Sequence, residues 1–210
     1  MREKFEALRP ESVSSYFSNM LLKKAGYTQT MNINISAVKE AIALSDFNLT
    51  KLLCMLCIAL THPSSIYEDF NLTRQQQDLQ ELHYRRQAIL GDSIFNTAVV
   101  DYLVDDRFST LNQGDITTIK SPLVSRKQHF EFARELNLRR LCLLGRGERY
   151  RDESGQIELF GEMFEALVGA IYLEFERDFS RTRKWLVERF IRRAVENRSP
   201  HRKPLIRGQS

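Results

Sequence analysis

The sequence contains no hydrophobic run long enough to cross a membrane. Its longest apolar stretch covers residues 52–60, well short of the roughly 20 residues that a membrane-spanning helix needs, and we interpret it as part of a buried helix. The N-terminal segment also lacks the apolar core of a signal peptide, and its three early glutamates argue against a transit peptide. The sequence therefore predicts a cytoplasmic protein.

Cysteine is scarce, with three residues in a chain of 210. Cys54 and Cys57 form a Cys-x-x-Cys motif, but it lies in an apolar helical stretch and no second pair accompanies it. We therefore interpret both as core residues and not as zinc ligands. Cys142 lies in a second apolar stretch. An odd number of cysteines in a cytoplasmic protein favours reduced thiols over disulfides.

Two common kinds of catalytic site are also missing. The four histidines are dispersed along the chain, and neither Ser64 nor Ser93 has an evident base beside it, which argues against a catalytic triad. His62 lies where a helix is predicted to end, a position that favours a structural hydrogen bond. The sequence has no phosphate-binding P-loop and no dinucleotide fingerprint.

What the sequence does contain is an uneven distribution of charge. The net charge is +4, but residues 181–210 contain ten lysines or arginines and two glutamates, a local charge of +8, so the preceding 180 residues carry about −4. A basic C-terminal segment on a mildly acidic body is typical of a protein that contacts a polyanion. A solvated tail would have the same composition, and charge alone does not decide between these interpretations.

Apolar residues recur with helical periodicity along most of the chain, and no stretch alternates with the period of a β-strand. The sequence therefore predicts an all-α fold. We expect a leader of unknown role at residues 1–35, a helical domain at 36–197 and a basic, disordered tail at 198–210. The predicted helices cover residues 35–44, 50–60, 84–104, 114–124, 125–135, 158–176 and 180–197. The polar stretches 71–81 and 148–157 are predicted to be surface connections.

Two segments combine carboxylates with apolar helices. In the first, Asp92 directly follows Gly91 inside a predicted helix. A glycine there costs about 1 kcal/mol relative to alanine, so we expect it to permit the close approach of a second helix. In the second, Glu162 and Glu165 are three residues apart and share one helix face. Two carboxylates so placed repel each other unless a cation lies between them.

The carboxylates of Asp92, Glu162 and Glu165 are therefore candidate ligands of Mg²⁺, an ion that prefers oxygen donors. The other interpretation is that these acids are solvated or paired with nearby arginines, and the spacing alone favours this second interpretation. If the two helices lie side by side, the three carboxylates converge on one point.

The order of several short motifs resembles the ribonuclease III family. Five segments carry the resemblance: residues 58–64 (IALTHPS), 90–94 (LGDSI), 120–125 (KSPLVS), 143–148 (LLGRGE) and 165–173 (EALVGAIYL). The resemblance as a whole covers about residues 47–193, some two-thirds of the chain. The resemblance implies an all-helical nuclease domain that forms a two-fold dimer through the signature helix, whose end is the segment at 90–94.

The resemblance also implies a divalent metal site, and here the sequence departs from the family. The family has acids at the positions of Arg85 and Ala88, and the second of these acids is a metal ligand. Glu162 stands where the family usually has aspartate, whereas Asp92 and Glu165 match as they are. Three of the four implied ligands therefore remain. Arg85 lies two helical turns before Asp92 on the same face. If its guanidinium turns toward that carboxylate, it supplies positive charge where the cation would sit and satisfies the acids without metal.

By resemblance, Asp92, Glu162 and Glu165 would hold Mg²⁺ or Mn²⁺, and Asp92 and Glu165 would also be catalytic. The implied reaction is hydrolysis of double-stranded RNA, such as structured ribosomal RNA precursors, to products with a 5′-phosphate and a 3′-hydroxyl. The loss of the ligand at Ala88 leaves two alternatives open: a metal-dependent endoribonuclease, and an inactive RNA-binding or ribosome-associated protein. A helical dimer that acts through protein partners alone is a third.

RNA and dimer contacts are implied as well. The chain ends soon after its last predicted helix, so we expect no separate double-stranded-RNA-binding domain after it. RNA affinity would come from the dimer groove, from the C-terminal basic cluster and from basic residues such as Lys120, Arg126 and Lys127, through phosphate and 2′-hydroxyl contacts. Ile89 stands where the family commonly has an aromatic residue at the dimer seam, and we expect it to fill that socket in a homodimer.

Overall fold

The computed structural model describes residues 35–42, 55–70 and 72–198. Within these ranges the fold is all-α and contains no β-strand, which confirms the predicted fold class. None of the helices described is both long enough and apolar enough to cross a membrane. Nearly all of the predicted leader, residues 1–35, and of the predicted tail, residues 198–210, lies outside the described residues, so these two assignments stay predictions.

The structure is built from helices joined by short connections. The α-helices are α1 (Ile35–Ile42), α2 (Pro63–Tyr67), α3 (Arg74–Leu103), α4 (Gln113–Leu123), α5 (Arg126–Glu135), α6 (Leu138–Leu141), α7 (Glu153–Glu174), α8 (Phe179–Leu186) and α9 (Arg192–Glu196). Residues 55–59 are also helical. Two 3₁₀ turns, Asp106–Phe108 and Gly147–Tyr150, lie in connections before α4 and α7. Helices α3 and α7 form the largest interface among these elements.

Helix α3 begins ten residues earlier than predicted. Thr73 caps it: its hydroxyl accepts a hydrogen bond from the Gln76 N–H at 3.3 Å, and the Gln76 side chain accepts one from the Thr73 N–H at 2.9 Å. Gln77 then turns inward and donates to the Ile66 carbonyl at 3.2 Å. The prediction of a surface connection at residues 71–81 is therefore wrong for all but its first residues. Because backbone carbonyls accept the hydrogen bonds of the buried Gln77 side-chain amide, a polar stretch of sequence can form a helix that packs against the protein.

Helix α7 likewise begins at Glu153, five residues before its predicted start. Asp152 caps it by accepting a hydrogen bond from the Gly155 N–H at 2.8 Å. Acids in a first turn also interact favourably with the positive end of the helix dipole. The polar stretch 148–157 is therefore a connection only in its first half, since the second half forms the first turn of the helix.

The predicted C-terminal helix forms, but its hydrogen-bond pattern changes in the middle. α8 continues into a π-helical segment, Val187–Ile191, and α9 follows directly. Two side chains reach the end of α1: Trp185 donates to the Ile42 carbonyl at 2.9 Å, and Arg189 donates to the Ala41 carbonyl at 2.7 Å. Carbonyls in the last turn of a helix have no partner within it, so these two bonds attach α1 to the C-terminal helix.

Phenylalanine dominates the centre of the core. Phe95 of α3, Phe132 of α5 and Phe164 of α7 are buried, and their ring centroids lie 5.4–5.8 Å apart. Phe190 of the π-helical segment lies 5.0 Å from Phe132 and 5.3 Å from Phe164. Aromatic pairs in this range contribute roughly 0.5–1.5 kcal/mol each beyond the area they bury. The cluster fixes α3, α5 and α7 relative to one another, and these three helices carry the candidate site.

Two of the short sequence motifs contact each other. Thr61 and Leu143 form an isolated parallel bridge, in which the His62 N–H donates to the Leu143 carbonyl at 3.0 Å. The Gly145 N–H donates to the Ser64 hydroxyl at 3.0 Å. Nδ1 of His62 lies 2.8 Å from that hydroxyl and accepts the Ser64 N–H at 3.2 Å, so the imidazole caps α2. His62 therefore makes a structural hydrogen bond, as its position in the sequence predicts.

Cys57 and Cys142 are half-buried against the core, while Cys54 lies outside the described residues. Burial raises the pKa of the Cys57 thiol to about 11 and that of the Cys142 thiol to about 12. Both thiols therefore stay protonated at neutral pH and are poor nucleophiles. These environments agree with structural, reduced cysteines.

Candidate functional site

Helices α3 and α7 cross in direct backbone contact, and this crossing sets the geometry of the site. A β-carbon added at Gly91 would lie 1.8 Å from the Glu165 carbonyl oxygen, and one added at Gly169 would lie 2.2 Å from the Gln87 carbonyl oxygen. Real β-carbons essentially never approach other atoms below 3.0 Å. Both glycines are therefore required by the close approach of the two helices, as the sequence predicts for Gly91.

The crossing brings the three predicted acids to one pocket. Asp92 follows Gly91 on α3, and Glu162 and Glu165 lie on the facing helix α7. The pocket has a volume of about 510 Å³ and is lined by these acids together with arginines and small or apolar residues: Arg85, Ala88, Ile89, Asp92, Ser93, Val124, Arg126, Glu162 and Glu165. The acids converge because the two helices lie side by side, and arginines pair with Glu162 and Glu165, as the interpretation favoured by the spacing alone has it. Their roles as metal ligands and catalytic groups stay predictions.

Glu165 is the most buried of the three acids, with 6% of its surface exposed. Its Oε1 lies 2.8 Å from Nδ1 of His129, and its Oε2 lies 2.6 Å from Nη1 of Arg126. Both carboxylate oxygens therefore have a nitrogen partner. A carboxylate buried to this extent is costly unless its charge is paired. Here His129 hydrogen-bonds one oxygen, and Arg126 forms an ion pair with the other.

Arg126 reaches Glu165 because its side chain crosses a glycine of α7. Ser125 caps α5, which makes Arg126 the first residue of that helix. The aliphatic part of the arginine then passes over Gly161, where an added β-carbon would lie 2.3 Å from Cδ. At its end, the guanidinium contacts Glu165 and lies 3.5 Å from Glu158.

Glu162 is paired with Arg85. Nη1 of Arg85 lies 2.5 Å from Oε1 of Glu162, and the same guanidinium lies 3.3 Å from Glu81, one turn earlier on α3. Arg85 therefore supplies positive charge to a carboxylate of the pocket, but its partners are Glu162 and Glu81 and not Asp92. Ala88 is buried in the same pocket and offers no ligand atom.

The carboxyl group of Asp92 has no hydrogen bond or ion pair with any residue in the described ranges. Burial raises its pKa, and the negative charge of Glu165 raises it further. The positive charges of Arg126 and Lys120 oppose part of this effect. The charged form of Asp92 is thus disfavoured in the folded protein.

We expect Asp92→Asn to raise the melting temperature at neutral pH by a few degrees. A carboxyl group whose pKa is raised in the folded state destabilises the fold once it ionises. The penalty is absent in acid, develops as the pH rises from the ordinary pKa of aspartate through the raised value, and is constant above it. Asparagine carries no such penalty. Thermal unfolding between about pH 3 and pH 8 should therefore show a difference between the two proteins that grows with pH and then levels off.

Asp78→Asn is the control for this comparison. Asp78 is an exposed acid on the same helix and pairs with Arg74 at 3.1 Å, so its replacement should not raise the melting temperature. An Asp92→Asn protein that is less stable than the wild type at neutral pH would contradict the prediction, since it would mean that the carboxylate has a favourable partner.

His129 is a site residue that sequence reasoning missed. Its side chain is fully buried, and its ring lies 4.8 Å from the ring of Phe95 and 5.4 Å from that of Phe164 between centroids. His129 and Glu165 are 36 residues apart, and nothing in the sequence next to the histidine indicates an acid. The sequence does indicate that His129 faces the core, because it lies three residues before Phe132 and therefore on the apolar stripe of α5.

The other predicted site residues differ in their surroundings. Lys120 on α4 is half-exposed and Lys127 on α5 is exposed, whereas the Arg126 guanidinium is engaged with carboxylates of α7. Ile89 exposes 71% of its surface on the outer side of α3. The RNA contacts predicted for the first three residues and the dimer contact predicted for Ile89 stay predictions.

A second basic surface lies outside the C-terminal segment. Residues 138–151, which we call the α6 surface, contain five arginines and one glutamate, a local charge of +4. Arg140, Arg146 and Arg149 are exposed, and Tyr150 exposes 88% of its surface. The net charge of the first 180 residues does not reveal this basic surface, because acidic residues elsewhere in that segment outweigh its positive charge.

Several arginines of the C-terminal helix, in contrast, are engaged within the protein. The contacts are Arg183 with Asp101, Arg193 with Glu135, Arg198 with the Gln128 side chain, and Arg189 with the Ala41 carbonyl. Each of these guanidinium groups thus has a partner inside the protein, although the net charge of the segment alone would suggest that it binds a polyanion. The described part of this basic cluster therefore helps to hold the fold together.

The side chains present do not fit the four-carboxylate magnesium centre that the resemblance implies. Asp92, His129 and Glu165 do bring one ligand atom each within 4.8 Å of one another, an arrangement able to hold a metal ion. The implied fourth acid is Ala88, however, and Glu162 has an arginine partner. An imidazole among the donors suits transition ions better than Mg²⁺. The donor set thus differs from the implied one.

Comparison with known proteins agrees with the motifs. The model of the Ribonuclease III domain matches residues 85–176. Ribonuclease 3 of Chlamydia trachomatis serovar L2 is 33% identical over 120 residues, 57% of this chain and 48% of that protein. Ribonuclease 3 of Chlamydia muridarum is 32% identical over 142 residues, 68% of this chain and 56% of that protein. The chain spans about half the length of the curated relatives it matches.

A solved structure shows the same fold. The nuclease domain of ribonuclease III from Campylobacter jejuni aligns with a TM-score of 0.56 and 25% sequence identity, and the match covers 80% of this chain and 99% of that one. The part of α3 from residue 85 onward and the whole of the acidic helix α7 lie within the residues that the family model matches.

Proposed function

Because the chain belongs to the ribonuclease III family, we propose that it binds double-stranded RNA as a homodimer and does not hydrolyse it. Action on double-stranded RNA is general in the family, and the exposed arginines of the α6 surface support RNA binding here. The proposal that RNA is not hydrolysed rests on one observation: the Arg85 guanidinium is bound to Glu162 beside Ala88. An arginine and an alanine thus take the positions of two implied acids.

Duplex RNA would be bound through its backbone. The α6 surface presents the exposed side chains of Arg140, Arg146 and Arg149, and Lys120 and Lys127 add two ammonium groups on α4 and α5. Such cations contact phosphates and 2′-hydroxyls, which are the accessible groups of an A-form helix. Binding should therefore depend little on sequence and fall steeply with salt.

The outer face of α3 is suited to pairing with a second copy of itself. Ile89 and Val104 are exposed on it, and between them the hydroxyls of Ser93 and Thr97 donate to carbonyls of their own helix at 3.0 and 2.9 Å. The face thus presents apolar groups and hydroxyls whose protons are already bonded, a composition that suits an interface core. The Campylobacter jejuni nuclease domain has a region involved in dimer formation. A two-fold axis across this face would place two pockets along one duplex.

Metal-dependent cleavage of double-stranded RNA is the second candidate function. The clustering of ligand atoms from Asp92, His129 and Glu165 within 4.8 Å favours it, and divalent metal is general in the family. Asp92 and Glu165 would then be the catalytic acids. This candidate requires Arg126 to leave Glu165, since the guanidinium occupies one of the two carboxylate oxygens.

Incubation of the full chain with a long RNA duplex, in Mg²⁺ and separately in Mn²⁺, tests the proposal. The wild type should shift the duplex in a gel at low salt and leave its length unchanged. Arg85→Glu/Ala88→Glu restores both implied acids and releases Glu162, so it should gain metal-dependent cutting. Arg74→Glu/Gln75→Glu makes the same charge change, −3, in the first turn of α3 and should gain none.

Metal-dependent cutting by the wild type that Asp92→Asn abolishes would overturn the proposal in favour of the second candidate. Failure to bind any RNA at low salt would favour a dimer that acts through protein partners alone. If the proposal holds, Asp92→Asn leaves the affinity for the duplex unchanged, because a protein that does not cleave has no use for this carboxylate on the RNA.

A further inference from the structure

We propose that Arg126 and His129 are permanent partners of Glu165 in place of a divalent cation, so that the packing of α5 on α7 does not depend on metal. This inference rests on the proposed function, since a domain that does not hydrolyse RNA need not keep this carboxylate free. Arg126 and His129 thus have a structural role, since they bind the carboxylate that the family resemblance implies to be a metal ligand.

Glu165 lies where three helices meet and cannot leave that position. Its carbonyl oxygen lies against Gly91 of α3 so closely that a β-carbon there would be at 1.8 Å. Its carboxylate points toward α5 and has little access to bulk water, because the residue is 6% exposed. A buried carboxylate needs a counter-charge from the protein or from an ion, and here the protein supplies it.

The Arg126 guanidinium is held in place by features other than the ion pair. Its aliphatic part lies across Gly161, and the β-carbon of any other residue there would fall 2.3 Å from Cδ. The guanidinium lies 2.6 Å from Glu165 and 3.5 Å from Glu158. Ordering a long side chain costs conformational entropy. Because the aliphatic part of Arg126 is already packed against Gly161, the ion pair has to order only the end of the side chain.

His129 holds the second carboxylate oxygen and is fixed even more firmly. Nδ1 lies 2.8 Å from Oε1 of Glu165, and a proton on Nδ1 donates to the carboxylate in both the neutral and the charged imidazole. The ring is fully buried against Phe95 and Phe164. It cannot turn away without displacing two core aromatics, so the donor stays directed at the carboxylate.

A divalent ion would have to displace these partners. Oε1 of Glu165 is hydrogen-bonded to His129 at 2.8 Å, and Oε2 forms an ion pair with Arg126 at 2.6 Å. An ion at Oε2 would therefore lie beside the positive charge of the guanidinium. The other acid of α7, Glu162, is likewise held by Arg85. The two guanidinium groups thus supply positive charge on the side of the pocket that α7 forms.

Thermal unfolding of the full chain in EDTA, in Mg²⁺ and in Mn²⁺ tests the inference. The wild-type melting temperature should agree within about 1 °C in all three, since an ion that does not bind the native state cannot stabilise it. Arg126→Gln removes the cation and should melt on the order of 5–10 °C lower in EDTA. Mn²⁺ should restore much of that loss by taking the place of the guanidinium. Arg134→Gln, which removes an exposed arginine of α5 paired with Glu131, should show neither effect.

Combining Arg126→Gln with Glu165→Gln should recover stability in EDTA and remove the response to Mn²⁺, because a neutral amide needs no counter-charge. A wild type that melts several degrees higher in either metal than in EDTA would overturn the inference, and so would an Arg126→Gln protein as stable as the wild type. If Arg126→Gln does not fold, Gly161→Ala is measured instead. Its methyl would lie 2.3 Å from Cδ of Arg126 and 2.9 Å from the Arg126 carbonyl oxygen, so it displaces the side chain and also presses on the backbone of α5. The deciding result for this variant is therefore a higher melting temperature in Mn²⁺ than in EDTA, and equal values would overturn the inference. These experiments contain no RNA, so the RNA assays succeed or fail independently of them.

Discussion

Gly91→Ala should lower the melting temperature substantially or prevent folding. The added methyl would lie 1.8 Å from the Glu165 carbonyl oxygen and 2.6 Å from the Gly169 nitrogen, both of which are backbone atoms of α7. A flexible side chain could move aside, but a helix backbone cannot, so α3 and α7 would have to separate. We expect a cost of about 3 kcal/mol or more for such overpacking, which corresponds to roughly 6–12 °C in a domain of this size.

Gly147→Ala is the matched control for this substitution. No atom lies within 4 Å of a β-carbon built at Gly147, and the residue does not have a positive φ, so the change should alter the melting temperature by less than about 2 °C. Gly169→Ala should behave like Gly91→Ala, because it places a methyl 2.2 Å from the Gln87 carbonyl. Circular-dichroism melting curves of the three variants give the comparison. A Gly91→Ala protein as stable as the wild type would mean that the helices are farther apart and that Asp92 does not lie beside Glu165.

How well each helix could be predicted from the sequence depends on how its first turn is stabilised. α5 follows its prediction closely, because an apolar stripe and the capping residue Ser125 both mark it. α3 and α7 begin ten and five residues before their predicted starts, since their first turns are polar and are held by the capping residues Thr73 and Asp152. Hydrophobic periodicity does not register such turns, because their side chains bond to backbone groups and are not packed in the core.

The candidate site could be predicted in part for a similar reason. Glu162 and Glu165 share a helix face, and Asp92 follows a glycine that permits close helix packing. Their convergence could be expected only together with the family resemblance, which implies that the two helices lie side by side. Their partners depend on the fold: Arg126 and His129 come from α5, 39 and 36 residues before Glu165. No local pattern links residues at such separations. A search for polar residues on the apolar stripes of predicted helices would have found the histidine but not its acid.

Arg140→Gln/Arg149→Gln should weaken binding of duplex RNA on the order of tenfold at about 0.1 M salt. Both side chains are exposed on the α6 surface. The two ends of this surface are joined by a hydrogen bond from the Arg139 guanidinium to the Arg149 carbonyl at 3.2 Å. This bond uses the backbone of residue 149 and not its side chain, so the substitutions should leave the fold unaffected. The slope of log affinity against log salt should become shallower by about two, one for each phosphate contact removed.

Lys184→Gln/Arg192→Gln removes the same charge from the C-terminal helix, where both residues are exposed, and serves as the control. Fluorescence anisotropy of a labelled duplex over a range of KCl concentrations should give a salt slope close to that of the wild type. If the control loses more affinity and slope than the α6 variant, the C-terminal segment is the main RNA contact and the role proposed for the α6 surface is wrong. The slope is the deciding quantity because it counts the counterions released at the contacts. A partly unfolded variant binds fewer RNA molecules but keeps the slope of its folded fraction, so loss of contacts and loss of fold remain distinguishable.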